Sequence, residues 1–232
     1  MDGGMENTRP KIGDPVLRKE DRRLLTGGGS FSDDANLPGQ AYAAIVRSPH
    51  AHARIRGYDI SVARNIPGVI AVLTGADALA DGLKPIPHNT MASSPPDIDL
   101  NNSDGSDHFN SPHFILPADK ARFVGEALAI VVGDCIEVAK NGAEAVLIDF
   151  ETLPAVTDGA AALALGAPLV WEEAGSNLCV DADVGDRAAT DAAFAKAAHV
   201  VQFDTWVQRV TGVPMEPRAA VGEFDTATGR YT

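Results

Sequence analysis

The sequence has only two cysteines and no long apolar run. Cys135 and Cys179 are 44 positions apart and belong to no Cys-x-x-Cys motif, so neither a disulfide framework nor an iron–sulfur or zinc site is indicated. We interpret both as buried thiols. No apolar run reaches the roughly 18 residues that a membrane-spanning helix needs. Together with a polar N-terminus, this predicts a soluble, cytoplasmic protein.

Basic residues are scarce relative to acidic ones. The 232 residues include 32 acidic and 19 basic ones, which gives a formal net charge of -13. Phosphate-rich partners require a positive surface, so this balance argues against binding to nucleic acid or to an anionic membrane. Because 45% of the residues are hydrophobic, the chain is still able to form a substantial core.

Residue alternation and turn signals predict a mixed α+β fold. Ser61 is the predicted N-cap of a short helix, and Asp77 is placed near the start of another helical turn. The predicted elements of the first part are strands at 41–47, 55–60 and 69–73, a helix at 61–65 and a helical turn from 74.

A second group of elements follows near the middle of the chain. Ala127–Val132 is apolar on both faces, as in a central buried strand. Asp134 and Glu137 have the capping-box spacing for a helix over 135–145, and a strand over 147–151 comes next. These elements predict a β-α-β unit, with a right-handed crossover if its two strands pair in parallel.

The residue pattern in the last third of the chain predicts further helices and strands, and the sequence ends abruptly after them. The chain stops just after a hairpin turn, which is typical of a cut chain because the strand before the turn loses its partner. The predicted elements are a helix at 158–168, a strand at 177–184, a helix from N-cap Thr190 to Ala198, a long strand at 199–209, extended structure at 219–224 and a turn at 225–229.

Three segments predict irregular structure. Residues 1–19 are polar and favour an extended N-terminal arm. Gly27–Gly29 favours a turn over a phosphate-binding loop, because no helix carrying Lys and Ser or Thr follows. Residues 81–117 are rich in Pro, Asp, Asn and Ser and favour a surface loop that covers a neighbouring subunit or domain.

Two histidines occur two positions apart in the segment Val46–Ile55. In a strand, His50 and His52 would face the same side, which permits a shared metal ion. A third ligand is not evident nearby, and a pair of histidines is a short motif. A structural role is therefore favoured over metal binding.

Six short segments, in order and spacing, resemble one family. That family is the molybdenum hydroxylases, the catalytic large subunits of the carbon monoxide dehydrogenase, aldehyde oxidase and xanthine dehydrogenase type. The resemblance covers residues 12–232. The segments are Glu20–Gly27, Arg47–Ile55, Pro67–Val69, Phe123–Glu126, Leu153–Val156 and Pro214–Arg218.

The resemblance implies a domain organisation and a set of cofactors. Residues 20–157 resemble the α/β-hammerhead domain, and residues 158–232 resemble the truncated beginning of a molybdopterin-binding domain. The implied cofactor of the completed subunit is molybdenum on a molybdopterin of the cytosine dinucleotide type. Implied partners are the remainder of the large subunit, a small subunit with [2Fe-2S] clusters and a medium subunit with FAD. The implied substrate is an aldehyde, an N-heterocycle or carbon monoxide.

The resemblance also suggests roles for a few residues. Gln208 matches a family glutamine near a molybdenum oxo ligand, where its amide would donate a hydrogen bond. The alternative is a glutamine at a strand end that bonds backbone groups. We expect Glu216 to be an orienting or structural carboxylate rather than a base, and Glu126 to be structural. The rival to the enzyme hypothesis is a non-catalytic hammerhead scaffold or interaction module.

Overall fold

The apolar run after residue 126 forms the central strand of a sheet in the structure, which is a computed structural model. The structure describes residues 12–13, 18–87, 102–106, 108–208, 210–214, 216 and 218–232. The strands are β1 (Tyr42–Arg47), β2 (Ala53–Asp59), β3 (Val69–Thr74), β4 (Lys120–Ala121), β5 (Ala127–Gly133), β6 (Leu147–Thr152), β7 (Phe224–Asp225) and β8 (Arg230–Tyr231). The α-helices are α1 (Asp21–Leu25), α2 (Ser61–Arg64), α3 (Gly75–Ala80), α4 (Ile136–Glu144), α5 (Gly159–Ala162) and α6 (Arg187–Lys196).

The chain divides into two compact units. The larger unit is Gln40–Phe203, and the smaller one combines Met1–Gly39 with Asp204–Thr232. In the larger unit, one sheet has the order β1-β5-β3 and a second has the order β4-β2-β6. All strand pairs are antiparallel. In the smaller unit, β7 and β8 form a hairpin.

The core of the larger unit lies where α4 crosses the first sheet. Ala44 and Val72 flank Val131 in neighbouring strands, and Val131 is fully buried. A Cβ atom on Gly142 of α4 would lie 2.6 Å from a methyl carbon of Val131. The helix therefore approaches the sheet closely because this position lacks a side chain. The predicted mixed α+β class and the central position of the 127–132 strand are confirmed.

The predicted β-α-β unit does not contain a parallel pair. β5 and β6 lie in different sheets, with α4 between them along the chain. Strand β5 already has partners on both edges, β1 and β3, so β6 pairs with β2 instead. The condition for a right-handed parallel crossover is therefore not met.

Three predicted helix caps are wrong. Helix α4 begins after Cys135, which makes no side-chain cap, rather than after Asp134. Ile60 precedes α2, while Ser61 donates to the Asp59 carboxylate at 2.6 Å. Asp186, not Thr190, caps α6 by accepting a 2.8 Å hydrogen bond from the backbone of Ala189. Two of the observed N-cap residues, Cys135 and Ile60, make no side-chain cap, so a search for capping residues does not find these helix starts.

The predicted strands of the last third are mostly wrong. Residues 177–184 and 199–208 are described throughout and contain neither helix nor strand. In the extended segment predicted at 219–224, Phe224 pairs with Tyr231 and Glu223 exchanges two backbone hydrogen bonds with Thr232, across the predicted turn at 225–229. A strand requires a partner as well as an alternating pattern, and β8 provides one only for β7.

Several other predictions concern segments that are only partly described. Most of the 1–19 arm, and residues 88–101 and 107 of the 81–117 loop, lie outside the described residues, whereas the described part of that loop has neither helix nor strand. Thr74 and Asp77 form the capping box at the start of α3, as the helical turn from 74 predicted. Cys135 is partly buried and Cys179 is exposed, so the prediction of two buried thiols is wrong for Cys179.

Candidate functional site

Two of the six family-like segments meet through their backbones. The Ser48 N–H donates to the Glu126 carbonyl at 2.9 Å, and the Gly125 N–H donates to the Ser48 carbonyl at 2.8 Å. The Arg47 guanidinium adds a 2.8 Å hydrogen bond to the Gly125 carbonyl. These contacts fix the chain just after β1 against the chain just before β5.

His52 joins the same region to a third segment. Its ring is buried, and Nδ1 lies 2.9 Å from the carbonyl oxygen of Pro154. Because a carbonyl only accepts, Nδ1 carries the proton in this contact. The His52 carbonyl in turn accepts from the Leu153 N–H at 2.9 Å. His52 thus attaches the end of β6 to the segment before β2.

The two histidines have separate packing environments. His50 packs edge-on against Phe150, with ring centroids 4.8 Å apart, whereas His52 bonds to Pro154. Among the described residues, no group of three or more His, Cys, Asp or Glu side chains is arranged to hold a metal ion. These contacts favour the structural role for both histidines.

Glu126 has a structural contact and an unusual environment. Its carboxylate accepts a hydrogen bond from the Arg122 backbone N–H. Burial raises the pKa of Glu126, against the opposing effects of that hydrogen bond and of the nearby Arg122 charge. The carboxyl group therefore holds the 122–126 turn in place, as expected of a structural residue.

Residues 168–181, the linker segment, pack on the region around β4. Lys120 Nζ lies 2.6 and 2.7 Å from the two carboxylate oxygens of Glu172, and this contact lowers the pKa of Glu172. The Arg122 guanidinium carbon lies 3.7 Å from the Trp171 ring centroid, which is a cation–π geometry. Two cations of the hammerhead-like region thus bind adjacent residues of the linker segment.

Further contacts hold the linker segment along its length. The Phe109 and Trp171 ring centroids are 6.1 Å apart. Ser103 donates both its N–H, at 2.6 Å, and its hydroxyl, at 2.8 Å, to Asp181. Sequence spacing does not reveal this docking, because Lys120 and Glu172 are 52 positions apart and Ser103 and Asp181 are 78 positions apart.

A recess opens between these elements. Two adjoining cavities of about 250 and 310 Å³ share four lining residues, Pro112, Phe114, Arg122 and Trp171. We call these residues and the space between them the Arg122 recess. Gln208 lines neither of the two cavities.

The residues singled out near the C-terminus belong to the smaller unit. Gln208 is exposed and lies in a stretch without helix or strand. The Glu216 carboxylate accepts a 3.0 Å hydrogen bond from the Ser32 backbone, which is a structural contact. The described residues around Gln208 thus do not enclose its amide in a preformed cradle for a pterin cofactor.

Comparison with known families matches most of the chain. Residues 26–154 match the aldehyde oxidase and xanthine dehydrogenase a/b hammerhead domain. The chain belongs to this family of molybdopterin-binding oxidoreductases. Residues 170–232 match the molybdopterin cofactor-binding domain. The second match begins at residue 170, which lies inside the larger structural unit. This residue belongs to the linker segment, which packs on the hammerhead domain.

Individual relatives span both matched regions. The gamma subunit of the 6-hydroxypseudooxynicotine dehydrogenase complex from Paenarthrobacter nicotinovorans is 35% identical over 95% of this chain and 26% of that protein. The carbon monoxide dehydrogenase large chain of Afipia carboxidovorans is 34% identical over 93% of this chain and 26% of that protein. The chain therefore spans about a quarter of the length of these relatives.

Solved structures show the same similarity. Quinoline 2-oxidoreductase from Pseudomonas putida 86 superposes with a TM-score of 0.74 at 33% identity, over 94% of this chain and 26% of that one. The hammerhead fold that the six segments suggested is confirmed. Within the described part of the chain, no helix is long and apolar enough to cross a membrane.

Proposed function

We propose that this chain is part of the catalytic large subunit of a molybdopterin-dependent hydroxylase or dehydrogenase. The observation that carries the proposal is the consecutive match to a hammerhead domain and a molybdopterin cofactor-binding domain. Relatives that match nearly the whole chain are named as dehydrogenase and hydroxylase subunits. The substrate class proposed is an aldehyde, an N-heterocycle or carbon monoxide.

In this proposal the chain contributes a scaffold and the start of the cofactor domain. Ser48 and His52 join three family segments through hydrogen bonds, and Lys120 binds the linker segment to the same region. When bound, the molybdenum cofactor would supply a metal centre that accepts electrons from the substrate. By binding the linker segment, Lys120 would fix the position of the first residues of the cofactor-binding domain.

The proposal includes a cofactor type, partners and domain limits. We infer a cytosine dinucleotide form of molybdopterin, [2Fe-2S] clusters and FAD on partner subunits, and a cytoplasmic complex. Electrons removed from a substrate need a path to an acceptor, and clusters and flavin are the cofactors suited to that transfer. Domain limits of 20–157 and 158–232 belong to the same proposal.

Gln208 is the catalytic candidate that the family resemblance suggests. We propose that its amide donates a hydrogen bond to a molybdenum oxo ligand in a completed enzyme; its exposed position leaves the amide accessible. Replacing Gln208 with Ala should then lower turnover by about one to three orders of magnitude, the cost of losing one preorganised donor. Unchanged turnover with a full molybdenum content would remove Gln208 from the site.

Co-purification tests the main proposal. The chain should be expressed with the reading frames that adjoin its own, and the purified complex should be analysed for molybdenum, iron and flavin. Electron-acceptor assays with an aldehyde, an N-heterocycle and carbon monoxide then distinguish the substrate classes. A complex that contains molybdenum and reduces the acceptor with one substrate supports the proposal.

The same experiment tests the alternative, a non-catalytic hammerhead scaffold. The observation that favours a scaffold is that Ser48, His52 and Glu126 all make structural contacts. A chain that purifies as a stable monomer, and that recovers neither metal nor flavin from co-expressed neighbours, would support the scaffold and contradict the enzyme proposal.

A further inference from the structure

Two neighbouring side chains of the linker segment bind two cations of the hammerhead domain. Glu172 binds Lys120 through both carboxylate oxygens, and Trp171 lies against the Arg122 guanidinium. Opposite charges, together with a cation on an aromatic face, make the surface around β4 selective for an acidic and aromatic segment. This recognition depends on the chemistry of the side chains and not on which copy of the chain carries them.

The linker segment keeps its shape through hydrogen bonds of its own. The Asn177 side chain accepts from the Val170 N–H at 3.1 Å, and it donates to the carbonyl oxygens of Ala162 and Pro168 at 3.0 and 2.9 Å. These three hydrogen bonds close the loop that presents the two docking side chains. The loop is therefore preorganised, and a preorganised segment loses less conformational entropy when it binds.

Exposed stretches of chain flank the linker segment on both sides. Before it, residues 157–161 are all exposed. After it, residues 183–203 are exposed throughout, and this stretch includes α6. Because exposed stretches make few buried contacts, the linker segment is able to leave its site without disrupting the two sheets.

We propose that two copies of this chain exchange their linker segments, so that Glu172 of each copy binds Lys120 of the other. The exchanged contacts are the same as those within one chain, which makes such a swap a low-cost route to a dimer. A segment tethered to its own site has an effective concentration on the order of millimolar, so the exchange needs a comparable protein concentration. Since Trp171 lines the Arg122 recess, each copy also supplies one wall of the other's recess.

Charge reversal on each side of the ion pair tests the proposal in the full chain. Lys120→Glu brings two carboxylates together within one chain, and Glu172→Lys brings two ammonium groups together. Exchange between one chain of each variant pairs opposite charges at both sites. When the two variants are refolded together, the heterodimer should be at least about tenfold more abundant than the homodimer of either variant, because like charges oppose the alternatives. Native mass spectrometry with one variant isotope-labelled measures the three populations.

Two controls separate exchange from unspecific pairing of charges. The chain that carries both reversals restores the ion pair within one copy and should behave like the unaltered chain. Mixing Arg187→Glu with Asp183→Lys, which reverse an exposed pair, should not enrich a heterodimer. A heterodimer of the Lys120 and Glu172 variants that is no more abundant than the homodimers would overturn the proposal.

If a single reversal does not fold, the unaltered chain decides. Labelled and unlabelled copies are refolded together at high concentration and treated with a carbodiimide, which joins a carboxylate to a neighbouring amine. A cross-linked peptide pair with Lys120 from one isotope and Glu172 from the other supports the exchange. Cross-links between these two residues that always join peptides of the same isotope would overturn it.

Discussion

Lys120 and Glu172 form an ion pair between β4 and the linker segment, but the two residues are buried to very different degrees. The Lys120 side chain is 7% exposed, whereas that of Glu172 is 58% exposed. Both carboxylate oxygens lie within 2.7 Å of the ammonium nitrogen. Removing Glu172 therefore leaves the buried Lys120 charge unpaired, whereas removing Lys120 leaves the Glu172 charge in solvent.

The two truncations should have unequal costs. Glu172→Ala leaves the buried Lys120 ammonium unpaired and should lower the free energy of unfolding by about 3 kcal/mol. Lys120→Met keeps most of the buried chain and leaves Glu172 in water, so the loss should be about 1 kcal/mol. Denaturant unfolding of the full chain measures both values.

An exposed pair provides the control for this comparison. Arg187 and Asp183 lie 3.4 Å apart with side chains 81% and 70% exposed. Asp183→Ala should change the free energy of unfolding by less than about 0.5 kcal/mol. Equal losses for Glu172→Ala and Lys120→Met would contradict the assignment of Lys120 as the desolvated partner.

The same ion pair should make stability depend on pH in the acid range. The hydrogen bond from Lys120 lowers the pKa of Glu172 below 4.5, its ordinary value. A carboxyl group with a lowered folded-state pKa stabilises the fold above its unfolded pKa, and this contribution disappears as the pH falls through the folded value. The stability difference between the unaltered chain and Glu172→Gln should therefore be constant above pH 4.5 and shrink below it. A difference that grows in acid would contradict this sign.

Some elements could be predicted from the sequence because their signals are local. The apolar run Ala127–Val132 has no polar face to present to water, so its central position in the sheet follows from its composition. Thr74 and Asp77 specify a capping box by their spacing alone. The meeting of Ser48 with Gly125 was not predictable, since backbone contacts between distant segments leave no residue pattern.

Other predictions failed because pairing is not a local property. Residues 199–208 alternate like a strand but have no strand partner among the described residues. The ion pair of Lys120 with Glu172 joins residues 52 positions apart, and neither residue is distinctive in its own surroundings. Lys120 is buried only because the linker segment brings a carboxylate to it.

The exposed alternating stretch 199–208 should bind hydrophobic dyes. Val201, Phe203 and Val207 have exposed fractions of 90%, 83% and 91%. Replacing all three with Ser should reduce dye fluorescence while changing the free energy of unfolding by less than about 0.5 kcal/mol per site, because exposed side chains make few core contacts. The control is the single substitution Leu147→Ser at an exposed position on β6. It should leave dye binding unchanged. Undiminished fluorescence of the triple variant would show that the dye binds elsewhere.

Gly75 should be intolerant of a side chain although its backbone is compatible with one. Gly75 is the first residue of α3. A Cβ atom at this position would lie 2.7 Å from the Ala118 Cα atom, which is shorter than the contacts that Cβ atoms make in proteins. Since the obstacle is backbone, it cannot rotate away, and Gly75→Ala should lower the free energy of unfolding by about 1 to 3 kcal/mol. Gly159 begins α5 and has open space around it, so Gly159→Ala should be neutral or stabilise by up to about 1 kcal/mol. Thermal unfolding of both variants checks the contrast, and a Gly75→Ala chain as stable as Gly159→Ala would mean that the segment at Pro117 and Ala118 does not pack against α3.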